Sequence, residues 1–183
     1  MPRLQLQFDV AELAAYAGRF PSGPGGLILP VGRAARDRGY YTRSEFLAAC
    51  RWKTPRSAPL VARNSAGRVR RATTIALGDG TPELARMTAL RGLDGVAWAT
   101  ASALLHIACP DRYPIIDVRA LHALGIPRRV TVTDALWLEF VAAYRELIAV
   151  SGLDGRTVDK GLWQWSAEQA AAAGPADGAL RTR

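Results

Sequence analysis

Apolar positions along the chain recur mainly at intervals of three and four residues, and no stretch sustains the strict alternation of half-buried strands. This spacing predicts a mainly α fold. After a short extended LQLQF segment, residues 9–20 read as a first helix, ended by the PSGPGG loop, and residues 28–31 as no more than a short strand. Thr42 followed by Glu45 has the form of a capping box and starts a helix over Arg43–Lys53, which Pro55 stops, so WKTPR lies at a helix end. Ala66–Leu77 forms the next helix before a GlyAspGly turn. Thr81 and Pro82 supply an N-cap and a first-turn proline for Glu83–Arg91. A helix beginning near Trp98, a short one over residues 118–124, a long one over residues 133–151 and a last one over residues 158–173 complete the pattern. The polar tail GPADGALRTR, residues 174–183, is expected to be flexible. No internal repeat or linker divides the chain, so residues 1–173 are expected to form a single helical domain.

Composition narrows this picture. The 183 residues, 49% hydrophobic and 22% charged, are enough for a packed core, and no apolar run approaches the length of a membrane span. The N-terminus lacks the cationic and apolar segments of a secretory signal, which favours a soluble, cytoplasmic, nucleoid-associated protein without membrane contact, most simply a monomer. Two cysteines, Cys50 and Cys109, are too few to ligate a four-cysteine iron–sulfur cluster and read as buried thiols. The formal charge of +8 and pI near 10.3 make a polyanion a fitting partner. Only Lys53 and Lys160 among the 24 basic residues are lysines, an arginine bias that base composition or phosphate recognition would equally produce.

The most restrictive stretch is GLDGVAWATASALLHIACPDRYPIID, Gly92 to Asp117. Leu93 to Ala97 join two helices through a very short turn in which Gly95 permits backbone angles closed to other residues. The free amides of such a turn and of the following helix N-terminus point donors outward, a seat for phosphate. A small-and-apolar helix follows, ProAspArgTyrPro breaks it, and IleIleAsp opens another helix, returning Asp117 toward the turn. Taken alone, LDGVA reads as a plain helix–helix connection and Asp117 as an N-cap.

Taken together these residues resemble the helix-hairpin-helix DNA glycosylases, whose pattern is LPGVG, a helix with ThrAla, then an Asp after an apolar pair. Gly95 and Asp117 stand 22 positions apart, similar to the adenine glycosylase branch, and the likeness runs from Thr88 to Gly125 within a hairpin and catalytic segment spanning residues 82–125. The resemblance implies a two-lobed helical bundle with an active-site cleft between the lobes, double-stranded DNA as partner, and hydrolysis of the N-glycosidic bond of a flipped, damaged or modified base. It implies Asp117 as the catalytic carboxylate that stabilises an oxocarbenium-like sugar. It also implies DNA contacts from Gly95, Val96, Ala97, Trp98 and Thr100. No cofactor is required, although a structural monovalent cation on the carbonyls of Arg91, Leu93 and Val96 is implied. Bifunctional members carry a lysine before the ThrAla pair, where this chain has Ala99, so the expected enzyme is monofunctional and without lyase activity. Two further departures are Asp94 in place of the usual proline and Ala97 in place of the second glycine.

Outside that stretch, Tyr40, Tyr41, Trp52, Lys53 and Arg56 set aromatic faces beside cations at a helix end, a mixture suited to stacking an extruded base; the alternative is ordinary core packing with solvated cations. Arg68, Arg70 and Arg71 suggest a phosphate-binding helix face, with Arg68 and Arg71 the chosen contacts, or simply a solvated one. His106 and His122 read as core or surface histidines rather than metal ligands, and Trp163 and Trp165 as packing anchors for the last helix. Two other functions stay open: a non-catalytic helix-hairpin-helix DNA-binding protein, and a helical protein-interaction module.

Overall fold

The computed structural model describes residues 4–21 and 28–173, and among them the regular structure is helical, without strands. A 3₁₀ turn at Val10–Glu12 leads into α1 (Leu13–Gly18). Then come α2 (Leu29–Arg38), α3 (Arg43–Lys53), a 3₁₀ turn at Pro55–Ser57, α4 (Ala58–Val61), α5 (Ala66–Leu77) and α6 (Glu83–Arg91). The chain continues through α7 (Trp98–Ala108), α8 (Val118–Ala123), α9 (Asp134–Ser151) and α10 (Gly155–Ala172). Residues 174–183 and most of the PSGPGG loop lie outside the described residues.

Local chemistry sets most boundaries. The Thr42 hydroxyl accepts from the Glu45 amide while the Glu45 carboxylate accepts from the Thr42 amide, so the expected capping box is formed. Ser65, Thr133 and Asp154 cap α5, α9 and α10 through their side-chain oxygens, without the reciprocal bond. The Asp154 cap starts α10 earlier than its apolar spacing suggested. Two expectations fail. Thr81 is not a cap, because Pro82 takes that position and no side chain bonds the first turn of α6. Residues 28–31 are not a strand but the entry to α2, with Pro30 in its first turn.

The core is organised around α7. Every residue from Thr100 to Ala108 is buried, which requires partners on all sides, and α2, α3, α5 and α6 supply them. The approach of α2 is close enough to need Gly32, where an added Cβ would lie 2.0 Å from the Ile107 carbonyl oxygen. α10 packs on α1 and α8, and the buried apolar side chains form one connected cluster from Leu13 to Leu162. The extended LQLQF segment is fastened to the end of α8: the amides of Gln5 and Gln7 donate to the carbonyls of Leu124 and Ala123. Among the described residues no helix is long and apolar enough to cross a membrane.

Candidate functional site

The turn between α6 and α7 is held from below. The Val96 amide donates to the Leu93 carbonyl at 3.1 Å and closes a tight turn with Gly95 at φ +76°. A side chain at Gly95 would meet Leu60 Cβ at 2.8 Å and the Val61 amide nitrogen at 2.9 Å, so the turn rests directly on α4. Buried Asn64 grips Asp94 at both backbone groups: its Oδ1 accepts from the Asp94 amide at 3.0 Å and its Nδ2 donates to the Asp94 carbonyl at 2.9 Å. Arg68 completes the clamp, with Nη1 3.1 Å from the Asp94 carboxylate and Nη2 donating to the Gly92 carbonyl at 3.1 Å. The charge that Asp94 would present to a phosphate is thereby paired. The amides of Gly95, Ala97, Trp98 and Ala99 have no acceptor among the described residues.

Asp117 stands at the opening of α8, brought near the start of α7 by the buried Tyr113 to Ile116 segment. Ser102 Oγ accepts from the Ile116 amide at 3.0 Å and fixes that return. Oδ1 of Asp117 accepts from the amides of Arg119 and Ala120, both at 2.9 Å, so it is a working N-cap. Its other oxygen, Oδ2, lies 3.3 Å from Nζ of Lys53, with the two side chains 21% and 18% exposed. Thr54, next along, meets Thr100 hydroxyl to hydroxyl at 3.1 Å and ties the end of α3 to the first turn of α7.

Of the proposed base-pocket residues, the structure therefore brings Lys53 to Asp117. Trp52 is half-buried beside it, with the Arg156 guanidinium 5.8 Å from its ring centre. Tyr41 is withdrawn from the pocket: it is 1% exposed, and its hydroxyl donates to the Leu104 carbonyl at 2.7 Å inside the core, where burial raises its pKa strongly. Tyr40 lies at the opposite end of α3 from Lys53, between the guanidinium groups of Arg38 and Arg70. Arg56 is exposed.

Among the proposed DNA contacts, Val96 and Thr100 are turned inward. Val96 is buried with its amide consumed by the turn, and Thr100 is 2% exposed and engaged with Thr54. Trp98 is half-buried and carries the Arg91 guanidinium 4.0 Å above its ring, so its indole face is occupied. Gly95 and Ala97 remain at the turn surface. Arg68 and Arg71 line a shallow groove of about 280 Å³ between α5 and α6, bordered by Gly92 and Leu93 of the turn.

Spacing alone missed what α10 contributes. Arg156 pairs with Asp159 at 2.7 Å, both largely buried, and Arg156 and Lys160 each lie 5.8 Å from the Phe20 ring centre. Arg119 stacks on Trp163 at 4.0 Å. The signal was present as Arg156, Lys160 and Trp163 at helical spacing, but the expected helix began only at residue 158 and left Arg156 outside it. His106 is fully buried, its Nδ1 donating to the Tyr113 carbonyl at 2.8 Å and its Nε2 unpartnered. Burial lowers its pKa; Asp159 pulls upward, and Arg156 and Lys53 push further down.

Of the carbonyls expected to hold a cation, that of Leu93 accepts from the Val96 amide, and the Arg68 guanidinium donates to the neighbouring Gly92 carbonyl, a positive charge that disfavours a second cation close by.

Fold and site together define an all-helical, basic protein with a clamped interhelical turn at the foot of a buried helix and a carboxylate–ammonium pair beside it. Comparison with protein-family models, curated proteins and solved structures returned no match.

Proposed function

We propose that the protein is a monofunctional DNA glycosylase of helix-hairpin-helix type. In this reading two lobes meet along α7, duplex DNA lies across the α6–α7 turn and the Arg68–Arg71 groove, and the flipped nucleotide approaches Asp117 between α3 and α10. The observation that carries it is the 3.3 Å approach of Lys53 to Asp117, which joins a cationic, aromatic helix end to the carboxylate across 64 positions of sequence.

Each group has a task. The unpartnered turn amides and the Arg68 guanidinium receive a backbone phosphate. The cap on Oδ1 holds the Asp117 carboxylate rigidly, leaving Oδ2 to face the sugar as positive charge develops and to orient water. Lys53 holds Oδ2 until substrate arrives, then turns to a flanking phosphate. An ammonium paired with a carboxylate offers no lone pair, and Ala99 supplies none, so the bond is broken by water rather than through a Schiff base.

A second reading, a DNA-binding protein without catalysis, is favoured by the occupation of both Asp117 oxygens, one by the cap and one by Lys53. Incubation with duplexes carrying a panel of damaged and modified bases, wild type against Asp117→Asn, separates the two. Base release that the variant loses supports catalysis; salt-sensitive binding without release supports the binding module.

A further inference from the structure

At the other end of α7 lies a second concave site that the glycosylase reading does not use. Helices rise about 1.5 Å per residue, so the eleven residues of α7 separate its two ends by roughly 15 Å. A cavity of about 580 Å³ is walled there by the ends of α2 and α5, by α6, and by the loop after α7. Its volume is that of a small-molecule site rather than a groove for a duplex.

Four arginines, Arg36, Arg38, Arg86 and Arg112, line it. Arg86 is the unusual one. It is 2% exposed, its Nη1 donates to the Ala76 carbonyl at 2.5 Å, and its Nε and Nη2 have no partner among the described residues. A buried guanidinium with two idle donors and no counter-ion is strongly unfavourable, and such a group is retained where something supplies the missing charge. Glu83 does not supply it: Oε1 is drawn to Arg145 at 2.8 Å and Arg112 at 3.9 Å, and Oε2 is itself unpartnered. The Tyr113 hydroxyl, also on the wall, is a further buried donor without an acceptor.

The wall carries both signs of charge. Arg36, Arg86 and Arg112 share the cavity wall with Cys109, whose thiol pKa is raised by burial, lowered by these three guanidinium groups and raised by Asp79. Of the three aspartates on the wall, Asp111 is committed to the Gly155 amide at 2.7 Å, leaving Asp37 and Asp79 exposed. Arg38 is likewise committed, to Glu45.

We propose that this cavity binds a small phosphate-bearing ligand, its phosphate held by Arg86, Arg36 and Arg112 and its polar body facing Asp37 and Asp79. Guanidinium forks match phosphate oxygens in geometry as well as charge, and Tyr113 adds a neutral donor. The site is independent of the glycosylase reading.

Calorimetric titration of inorganic phosphate into the full chain, at constant ionic strength against chloride, tests it. Saturable one-to-one binding is expected. Arg36→Ala and Arg112→Ala, both at exposed positions, each weaken it by about tenfold or more, the worth of a charge-assisted hydrogen bond. Arg86→Met abolishes binding yet melts no lower than unliganded wild type, because it removes an uncompensated charge; if it fails to fold, the two alanine variants decide. Excess undamaged duplex leaves phosphate affinity unchanged. No saturable heat, equal affinity in both alanine variants, or displacement of phosphate by duplex overturns the proposal.

Discussion

Asp117 has two separable duties, and substitution can distinguish them. Asparagine caps a helix as well as aspartate does, so Asp117→Asn keeps the bonds to Arg119 and Ala120 while removing the charge that faces Lys53. Asp117→Ala removes both and is expected to lower stability by about 1 kcal/mol in thermal or urea unfolding. If the alanine variant is as stable as wild type, the cap is not contributing. Lys53→Ala is expected to change stability by no more than about 1 kcal/mol, because the pair keeps partial solvent contact. It should nevertheless slow base release. Treatment with borohydride during turnover should leave no protein–DNA adduct; a trapped adduct through Lys53 would replace the hydrolytic route with a covalent one. At Arg68 the prediction concerns salt: Arg68→Ala should reduce the slope of log affinity against log salt by about 1 if this guanidinium meets a phosphate.

At the scale of elements, the α6–α7 turn is defined by what lies beneath it. Gly95→Ala forces a side chain onto Leu60 and Val61 at positive φ and should cost about 1–3 kcal/mol, lowering the melting temperature and duplex affinity together. Asn64→Ala leaves the Asp94 amide and carbonyl without their partners and should cost about 1–3 kcal/mol. A variant of either kind that melts like wild type would show that the turn does not depend on α4 and Asn64. The turn itself was legible in LDGVA, because a glycine needing positive φ is a local signal. Asn64 was not, since nothing in its neighbourhood says that a buried amide will grip a segment 30 positions away. The same division holds elsewhere. The α3 capping box and the Ser65 cap of α5 follow from adjacent residues, whereas α2 hides behind Pro30 in its first turn and Gly32, a poor helix former placed there by contact with α7. Lys53 was singled out for its aromatic neighbours, but its meeting with Asp117 depends on α3 and α8 packing against a common core. The burial of Tyr41 was hidden for the same reason: it lies in the short link between α2 and α3, where only contact with Leu104 of α7 and Thr73 of α5 turns its ring inward.

For the molecule as a whole, charge and burial set the response to solution conditions. His106 is neutral in the fold and its pKa is lowered by burial, so below the ordinary value of 6.5 the unfolded chain takes up a proton that the folded one refuses. Stability is therefore fully present above pH 6.5 and falls as pH drops below it, by at most about 1.4 kcal/mol per pH unit for this group. His122, also lowered, adds in the same direction. Urea unfolding from pH 7.5 to 5.5 should show this loss, and His106→Gln should flatten it; an unchanged slope would assign the effect elsewhere. At the alkaline end Cys50, raised by burial to about 12, keeps its proton above the ordinary 9.0, so stability is lost as pH rises between those values.

The central claim is that Asp117 acts on a sugar and not only on its own helix. Incubation of the full chain with duplexes carrying a panel of damaged and modified bases, followed by detection of free base and abasic sites, tests it most directly. Wild type is predicted to release base from at least one duplex, and Asp117→Asn, still folded and still binding DNA, to release it about 100-fold more slowly or not at all. No release from any duplex, or equal release by the variant, contradicts the account.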